Sequence, residues 1–197
     1  MAKVLYIKAN PKTVENSITF QMSEAFVEAY KKNHPEDEIT TLDLYEEEMR
    51  FLTGDDINQM FGGKDFDIKE RAKQFAAADK YIIAAPLWNL SIPAILKAYI
   101  DYVMYVGISF KYTEHGPIGL LENKKAVYVV ARGGDYTSPQ MAAIEMGERY
   151  LRTVFGFMGI QNIETIACEN TNVLQGQALT NAIATSVQRA VDAAETF

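Results

Sequence analysis

The chain has few of the residues on which covalent or metal-based chemistry is built. Its 197 residues include a single cysteine, Cys168, and two widely separated histidines, His34 and His115. One cysteine excludes an intrachain disulfide and suits a reducing compartment. Together these residues supply neither the ligand cluster of a zinc site nor a Cys–His nucleophile, so no metal site is expected. No apolar run approaches the ~20 residues of a membrane-spanning helix. Basic residues are outnumbered, 19 against 26 acidic, for a net charge of −7. That balance argues against nucleic acid or an anionic membrane as partner, and otherwise serves solubility. Met1-Ala2-Lys3-Val4 leads into a strand-like segment without signal-peptide anatomy, and a cytoplasmic protein is expected. Three motifs are missing as well: G-x-G-x-x-G, Walker A and the G-x-S-x-G elbow of serine hydrolases. Gly62-Gly63-Lys64 is followed by Asp65, where a P-loop needs Ser or Thr for magnesium.

What is present is a regular alternation of short apolar runs and helical patterns. Strand-like segments occur at Lys3–Lys8, 39–44, 80–85, Lys125–Ala131 and 163–168. Between them, apolar spacing shifts to a helical period. Met22, Phe26, Ala29 and Tyr30 share one face after Ser17. Ile92, Ile95, Leu96, Tyr99, Ile100 and Val103 share another, with Ser91 as N-cap. Further helices are expected over 65–78, 140–155 and 177–194, the last burying Leu179, Ile183, Val187, Ala190 and Val191. Residues 45–63 read as a loop with one short helix, and 107–121 as an inserted hairpin or excursion. The pattern predicts one flavodoxin-like domain over 1–197. Its five-stranded parallel sheet has the order 2-1-3-4-5 and helices on both faces. The 39–44 strand, being the most polar, belongs at an edge.

In such a sheet, ligands bind beyond the carboxyl ends of the strands, where the strand order reverses. Three loops should meet there. The first holds Asn10 and then Ser17-Ile18-Thr19 at a helix start, where free amides and the helix dipole attract an anion. Taken alone, the motif is also explained by Ser17 as a plain N-cap. The second, Pro86-Leu87-Trp88-Asn89-Leu90, ends a core strand with the only tryptophan beside an amide. An indole there is either core or the wall of a slot for a flat ring. The third, Ala131-Arg132-Gly133-Gly134, has two residues without side chains, suited to close backbone approach or simply to a tight turn. An anion site, an aromatic wall and a bare backbone at one predicted location describe an FMN site.

These residues resemble the FMN-dependent NADH:quinone oxidoreductases known as azoreductases, of the flavodoxin-like quinone reductase superfamily. The likeness spans the chain and is carried by 3–17, Ala85–Pro93, Leu96–Asp101, Phe110–Pro117, Ala131–Gly134 and Phe155–Ile160. The resemblance implies that Ser17, Ile18 and Thr19 bind the phosphate. Leu87 to Leu90 would run along the isoalloxazine edge, and Ala131 to Gly134 would lie near its pyrimidine end. Tyr112 and Phe157 match aromatics that help cover the flavin face in a homodimer. Two positions depart from the pattern. Asn10 stands where the family has serine, and Leu90 where it has an aromatic.

The resemblance further implies ping-pong transfer of two electrons. NADH or NADPH gives hydride to flavin N5, and a quinone, azo or nitroaromatic compound then takes it. The flavin carries the chemistry, so no side chain is assigned as catalytic acid or base. The alternative is a non-enzymatic flavodoxin-like electron-transfer protein. Against it, segments 45–78 and 107–121 exceed what a minimal carrier needs. A flavin-free regulatory domain is a third reading, which a yellow protein would exclude.

Overall fold

The computed structural model describes residues 1–62 and 67–197. In chain order, β1 (Lys3–Lys8) leads through a 3-10 turn (Val14–Asn16) to α1 (Ile18–Asn33), and β2 (Glu38–Asp43) follows. After α2 (Gly54–Gly62) and α3 (Asp67–Ala77) come β3 (Lys80–Ala84) and α4 (Ala94–Val103). β4 (Phe110–Thr113) and β5 (Gly116–Gly119) precede β6 (Lys125–Ala131), α5 (Pro139–Ile144) and α6 (Gly147–Met158). β7 (Asn162–Cys168) and α7 (Gly176–Ala194) complete the series.

β1, β2, β3, β6 and β7 form one parallel sheet in the order 2-1-3-6-7. This differs from the expected 2-1-3-4-5 because the 107–121 excursion contributes two strands of its own. β4 and β5 pair antiparallel, outside the main sheet. The side-chain alternation of each strand serves both faces. Val4, Tyr6, Ile82, Ala84, Val127 and Val129 join a cluster with Phe26, Tyr30 and Ala190 from α1 and α7. Leu5, Ile7, Tyr81, Ile83, Tyr128 and Val130 join a second cluster with Phe75, Leu96, Leu151 and Phe155 from α3, α4 and α6. Both faces being covered, β3 and β6 are near-continuous apolar runs; β2 is largely exposed at the edge.

Some expectations about elements are corrected, and others fall outside the described residues. Asp65 and Phe66, the expected start of the third helix, and Gly63-Lys64 of the P-loop-like tract lie outside the described residues. Ser91 caps no helix. Its backbone pairs with Trp88, and Pro93 is the residue that precedes α4. Of the residues expected to be buried on α7, only Ala190 is; Leu179, Ile183, Val187 and Val191 are half-buried, and Ser186 and Ala194 take the other buried positions. The helix expected over 140–155 is two helices. Glu145 leaves the helical path at ψ 104°, and its carboxylate accepts the amides of Gly147 and Glu148 at 3.0–3.1 Å. A carboxylate at a helix N-terminus is stabilising, so Glu145 ends α5 and caps α6 together.

The hairpin is seated on α6 by glycine. A Cβ at Gly119 would overlap backbone atoms of Met158 and Gly159, and Gly159 itself closes α6 at φ 103°. Backbone on both sides leaves no side chain to swing away. Gly119→Ala is therefore expected to destabilise by about 1–3 kcal/mol, lowering Tm by roughly 2 °C or more for a chain of this size. Gly134→Ala, whose Cβ meets Tyr136 at an ordinary 3.6 Å, should fall by less than half as much. Equal thermal midpoints for Gly119→Ala and the unmodified protein would refute this close seating.

Candidate functional site

A cleft of about 300 Å³ opens where β1, β3 and β6 end, and all three expected loops contribute to its wall. From the first loop come Asn10, Lys12 and residues 16–19. Ser17 is the N-cap of α1, its Oγ accepting the Phe20 amide at 3.1 Å. Gln21 donates to the Ser17 carbonyl at 2.9 Å. The remaining first-turn amides, those of Ile18 and Thr19, have no intrahelical acceptor available. Asn10 is buried and donates through Nδ2 to Ser17 Oγ at 2.9 Å, while its Oδ1 accepts the Lys12 amide at 3.1 Å. Ser17 Oγ thus accepts twice, leaving its own proton to be given outward. Asn10 braces this hydroxyl.

The second loop enters as Pro86, Leu87 and Trp88. Trp88 is 38% exposed, so the indole is a wall and not part of the core. It also borders a second, more apolar cleft of about 570 Å³ with Tyr45, Ile92, Pro93, Lys97 and Tyr150. Behind it lies a two-residue turn. Trp88 and Ser91 exchange amide and carbonyl at 2.9 and 3.0 Å, and the central residues have φ 49° at Asn89 and 68° at Leu90. Positive φ at both centres is the type I′ geometry that asparagine and glycine favour. Asn89 fits that preference; Leu90 holds it under strain. The Leu90 carbonyl is anchored by the Met146 amide at 2.8 Å.

The third loop is defined by where its carbonyls go. Ala131 O accepts from the Leu87 amide at 3.1 Å, and Arg132 O from the Thr171 amide at 3.0 Å. Gly133 O accepts from Asn172 at 3.1 Å and Gly134 O from Asn170 at 2.9 Å. Ala131 and Arg132 use their amides on Thr19 Oγ1 and Cys168 O. The amides of Gly133 and Gly134 are left without an acceptor among the described residues. Gly133 has a neighbour not foreseen: a Cβ there would meet the Asn172 side-chain amide, which would have to swing aside.

Not every expected residue meets in the cleft. Asn89 faces the second cleft, and Leu90 and Gly134 line neither. The Arg132 side chain lies in another cavity, among Glu145 and Glu148. Tyr112 and Phe157 lie on an exposed aromatic patch, each packed edge-on to Phe110 at 5.6 and 4.9 Å, and line neither cleft. Lys12, Asn16, Thr171 and Asn172 line the cleft and were not foreseen. Asn170-Thr171-Asn172 follows directly on β7, so the rule of strand carboxyl ends, applied to one strand more, would have found it. Among the described residues no group of His, Cys, Asp and Glu could hold a metal ion.

In architecture, and in the edge at which a ligand would be received, this is a flavodoxin-like protein. The family model described as "Flavodoxin-like fold" matches residues 2–193. A Clostridium perfringens protein (strain ATCC 13124) named FMN-dependent NADH:quinone oxidoreductase is 56% identical over the whole of both chains. One of the same name from Caldicellulosiruptor saccharolyticus is 48% identical, again over both full chains. The chain belongs to the family of FMN-dependent NADH:quinone oxidoreductases. Among solved structures, an azoreductase from Bacillus anthracis strain Sterne superposes with TM-score 0.92 at 37% identity and full coverage of both chains. An FMN-dependent NADH-azoreductase from B. anthracis strain Ames Ancestor, in complex with FMN, gives 0.86 at 29% identity, covering 98% of this chain and all of that one.

The strain at Leu90 is measurable. A non-glycine residue at φ 68° costs about 1–2 kcal/mol, and glycine gives back roughly 0.5–1 in the unfolded chain. Leu90→Gly should stabilise by up to about 1 kcal/mol, read as a higher midpoint in urea at unchanged slope. A midpoint below that of the parent would show that the Leu90 side chain contributes more than its backbone costs.

Proposed function

We propose that this chain is an FMN-dependent NADH:quinone oxidoreductase that also reductively cleaves aromatic azo compounds. The observation that carries the reading is the pairing, within one cleft, of a first-turn anion site with Gly133, whose amide, like that of Gly134 next to it, has no acceptor among the described residues. Ser17 Oγ–H, the amides of Ile18 and Thr19 and the Lys12 ammonium offer donors for a dianionic phosphate. The Gly133 and Gly134 amides offer donors for a polar ring edge. Trp88 and Leu87 supply an apolar wall between the two. The donor set fits FMN.

When bound, FMN supplies two-electron exchange, accepting from NADH or NADPH and delivering to the acceptor in alternating half-reactions. The chain's part is to bind, orient and polarise. Preorganised amides at 133–134 stabilise negative charge that develops on a ring held there, without reorganising at the moment of reaction. The carbonyls of that loop, all engaged on its other side, keep the amides from turning away. No side chain at the cleft is assigned as acid or base. Quinone, azo and nitroaromatic acceptors share a flat, electron-poor shape that suits the apolar surface around Trp88, Tyr45 and Tyr150.

We further infer a cytoplasmic homodimer of single-domain chains. Tyr112 is 67% and Phe157 37% exposed, and neither lines either of the two clefts beside Trp88, which suits a role toward a second copy. Among the described residues no helix is long and apolar enough to cross a membrane. The non-enzymatic carrier has less support, since the relatives are named as oxidoreductases.

The purified protein should show a flavin spectrum that bleaches on anaerobic addition of NADH at turnover rates and returns with a quinone. Reduction only through a separate reductase would point to the carrier. Ser17→Ala should raise the FMN dissociation constant roughly tenfold or more, as expected for losing a hydrogen bond to a charged group. An unchanged constant by fluorescence titration would move the phosphate elsewhere. Sedimentation should report two chains per particle.

A further inference from the structure

Arg132 is the least expected residue near the cleft: a guanidinium 6% exposed, one residue from a glycine that lines the wall. Its side chain extends to the opposite side of the loop, into a cavity of about 530 Å³. There Nη1 donates to Glu169 Oε1 at 2.9 Å and Nη2 to Glu148 Oε2 at 2.7 Å, with Glu145 Oε1 at 3.8 Å. Glu148 is shared with Arg152 at 2.8 Å. Burial alone would lower the Arg132 pKa, but the bonds to Glu148 and Glu169 hold it above its ordinary value.

The carboxylates tie two segments to this one cation: the start of α6 through Glu145 and Glu148, and the loop after β7 through Glu169. Glu145 caps α6, and the Met146 beside it holds the Leu90 carbonyl of the indole loop. Glu169 follows β7, accepts the Tyr136 amide at 3.2 Å, and precedes the residues that hold the carbonyls of 132–134. Gly147 packs so closely on Leu87 that a Cβ would lie 3.0 Å from its Cδ1. Pulling on Arg132 therefore pulls on the second and third loops of the cleft together. Buried ion pairs are weak sources of net stability, and their best-supported use is to specify one arrangement among several.

We propose that Arg132 is a positioning residue for the flavin, and that the balance of charge between it and Glu169 sets the reduction potential of the bound ring. The inference rests on the FMN reading above. A planar fork bonded on two sides is not replaced by an ammonium. A charge buried beside the loop acts on the ring through a low-dielectric path. Removing the cation disfavours the more negative, reduced ring; removing a carboxylate favours it.

The test uses the full-length protein, with FMN binding followed by fluorescence titration and potential by equilibration with reference dyes. Arg132→Gln should weaken FMN at least tenfold and lower the potential. Glu169→Gln should raise the potential. Arg132→Lys should keep the potential within error of wild type while still binding FMN more weakly. Shifts of opposite sign from Arg132→Gln and Glu169→Gln are not expected of a residue that merely supports the fold. Should Arg132→Gln not fold, the outcome is decided by Glu169→Gln and Arg132→Lys on the same two readouts. Potentials unchanged in Glu169→Gln, or FMN affinity unchanged in Arg132→Lys, overturn the proposal while leaving the FMN reading intact. A wild-type protein that binds no FMN overturns both.

Discussion

A parallel sheet satisfies its backbone only where strands lie side by side, and every polar group beyond the last pair must find another partner. At the carboxyl edge of this sheet that requirement shapes the whole cleft. The carbonyls of residues 131 to 134 each accept a hydrogen bond from an amide of the indole loop or of the loop after β7. A peptide unit cannot turn its oxygen one way without turning a neighbouring N–H the other. Two glycine amides are consequently left without an acceptor among the described residues. Under the proposed FMN reading, the donors for the ring edge are a by-product of how neighbouring loops are held.

The same economy recurs at the other two loops. Ser17 caps α1 because a helix start needs an acceptor, and in doing so it leaves a hydroxyl proton and two amides at the cleft. The tight turn behind Trp88 exists because a strand must be redirected into α4. Its type I′ geometry holds the indole at the mouth, at the cost of strain at Leu90. The break between α5 and α6 belongs with these. Glu145 interrupts what the local sequence would make one helix, and gains both the α6 amides and proximity to Arg132. Local preference yields where a buried charge offers a better partner.

Much of the architecture was legible from periodicity, because burial on two faces leaves a strong imprint. β3 and β6 have to be apolar throughout, and α1 has to present Met22, Phe26 and Tyr30 on one side. The three converging loops followed from the rule of strand carboxyl ends, and they do meet. The loop after β7 was open to the same rule, but the close fit of Asn172 against Gly133 was not legible, since nothing local tells an asparagine after a strand which loop it will meet. Nor could Arg132 be read correctly. Its position beside two glycines pointed toward the ligand, whereas its charge is turned inward by Glu148 and Glu169, 16 and 37 residues away.

The amino-acid sequence by itself determined the class of fold, the polar edge where a ligand belongs, and the helix terminus and indole that mark it. Those properties are local or periodic, and propensity, capping and hydrophobic spacing act within a few residues of one another. Only the tertiary structure decided which atoms face the cleft, which face the interior, and that Tyr112 and Phe157 sit away from it on an aromatic patch of their own. Direction of that kind depends on partners distant in the chain. A side chain or a peptide unit turns toward whatever neighbour leaves the fewest buried polar groups unpaired.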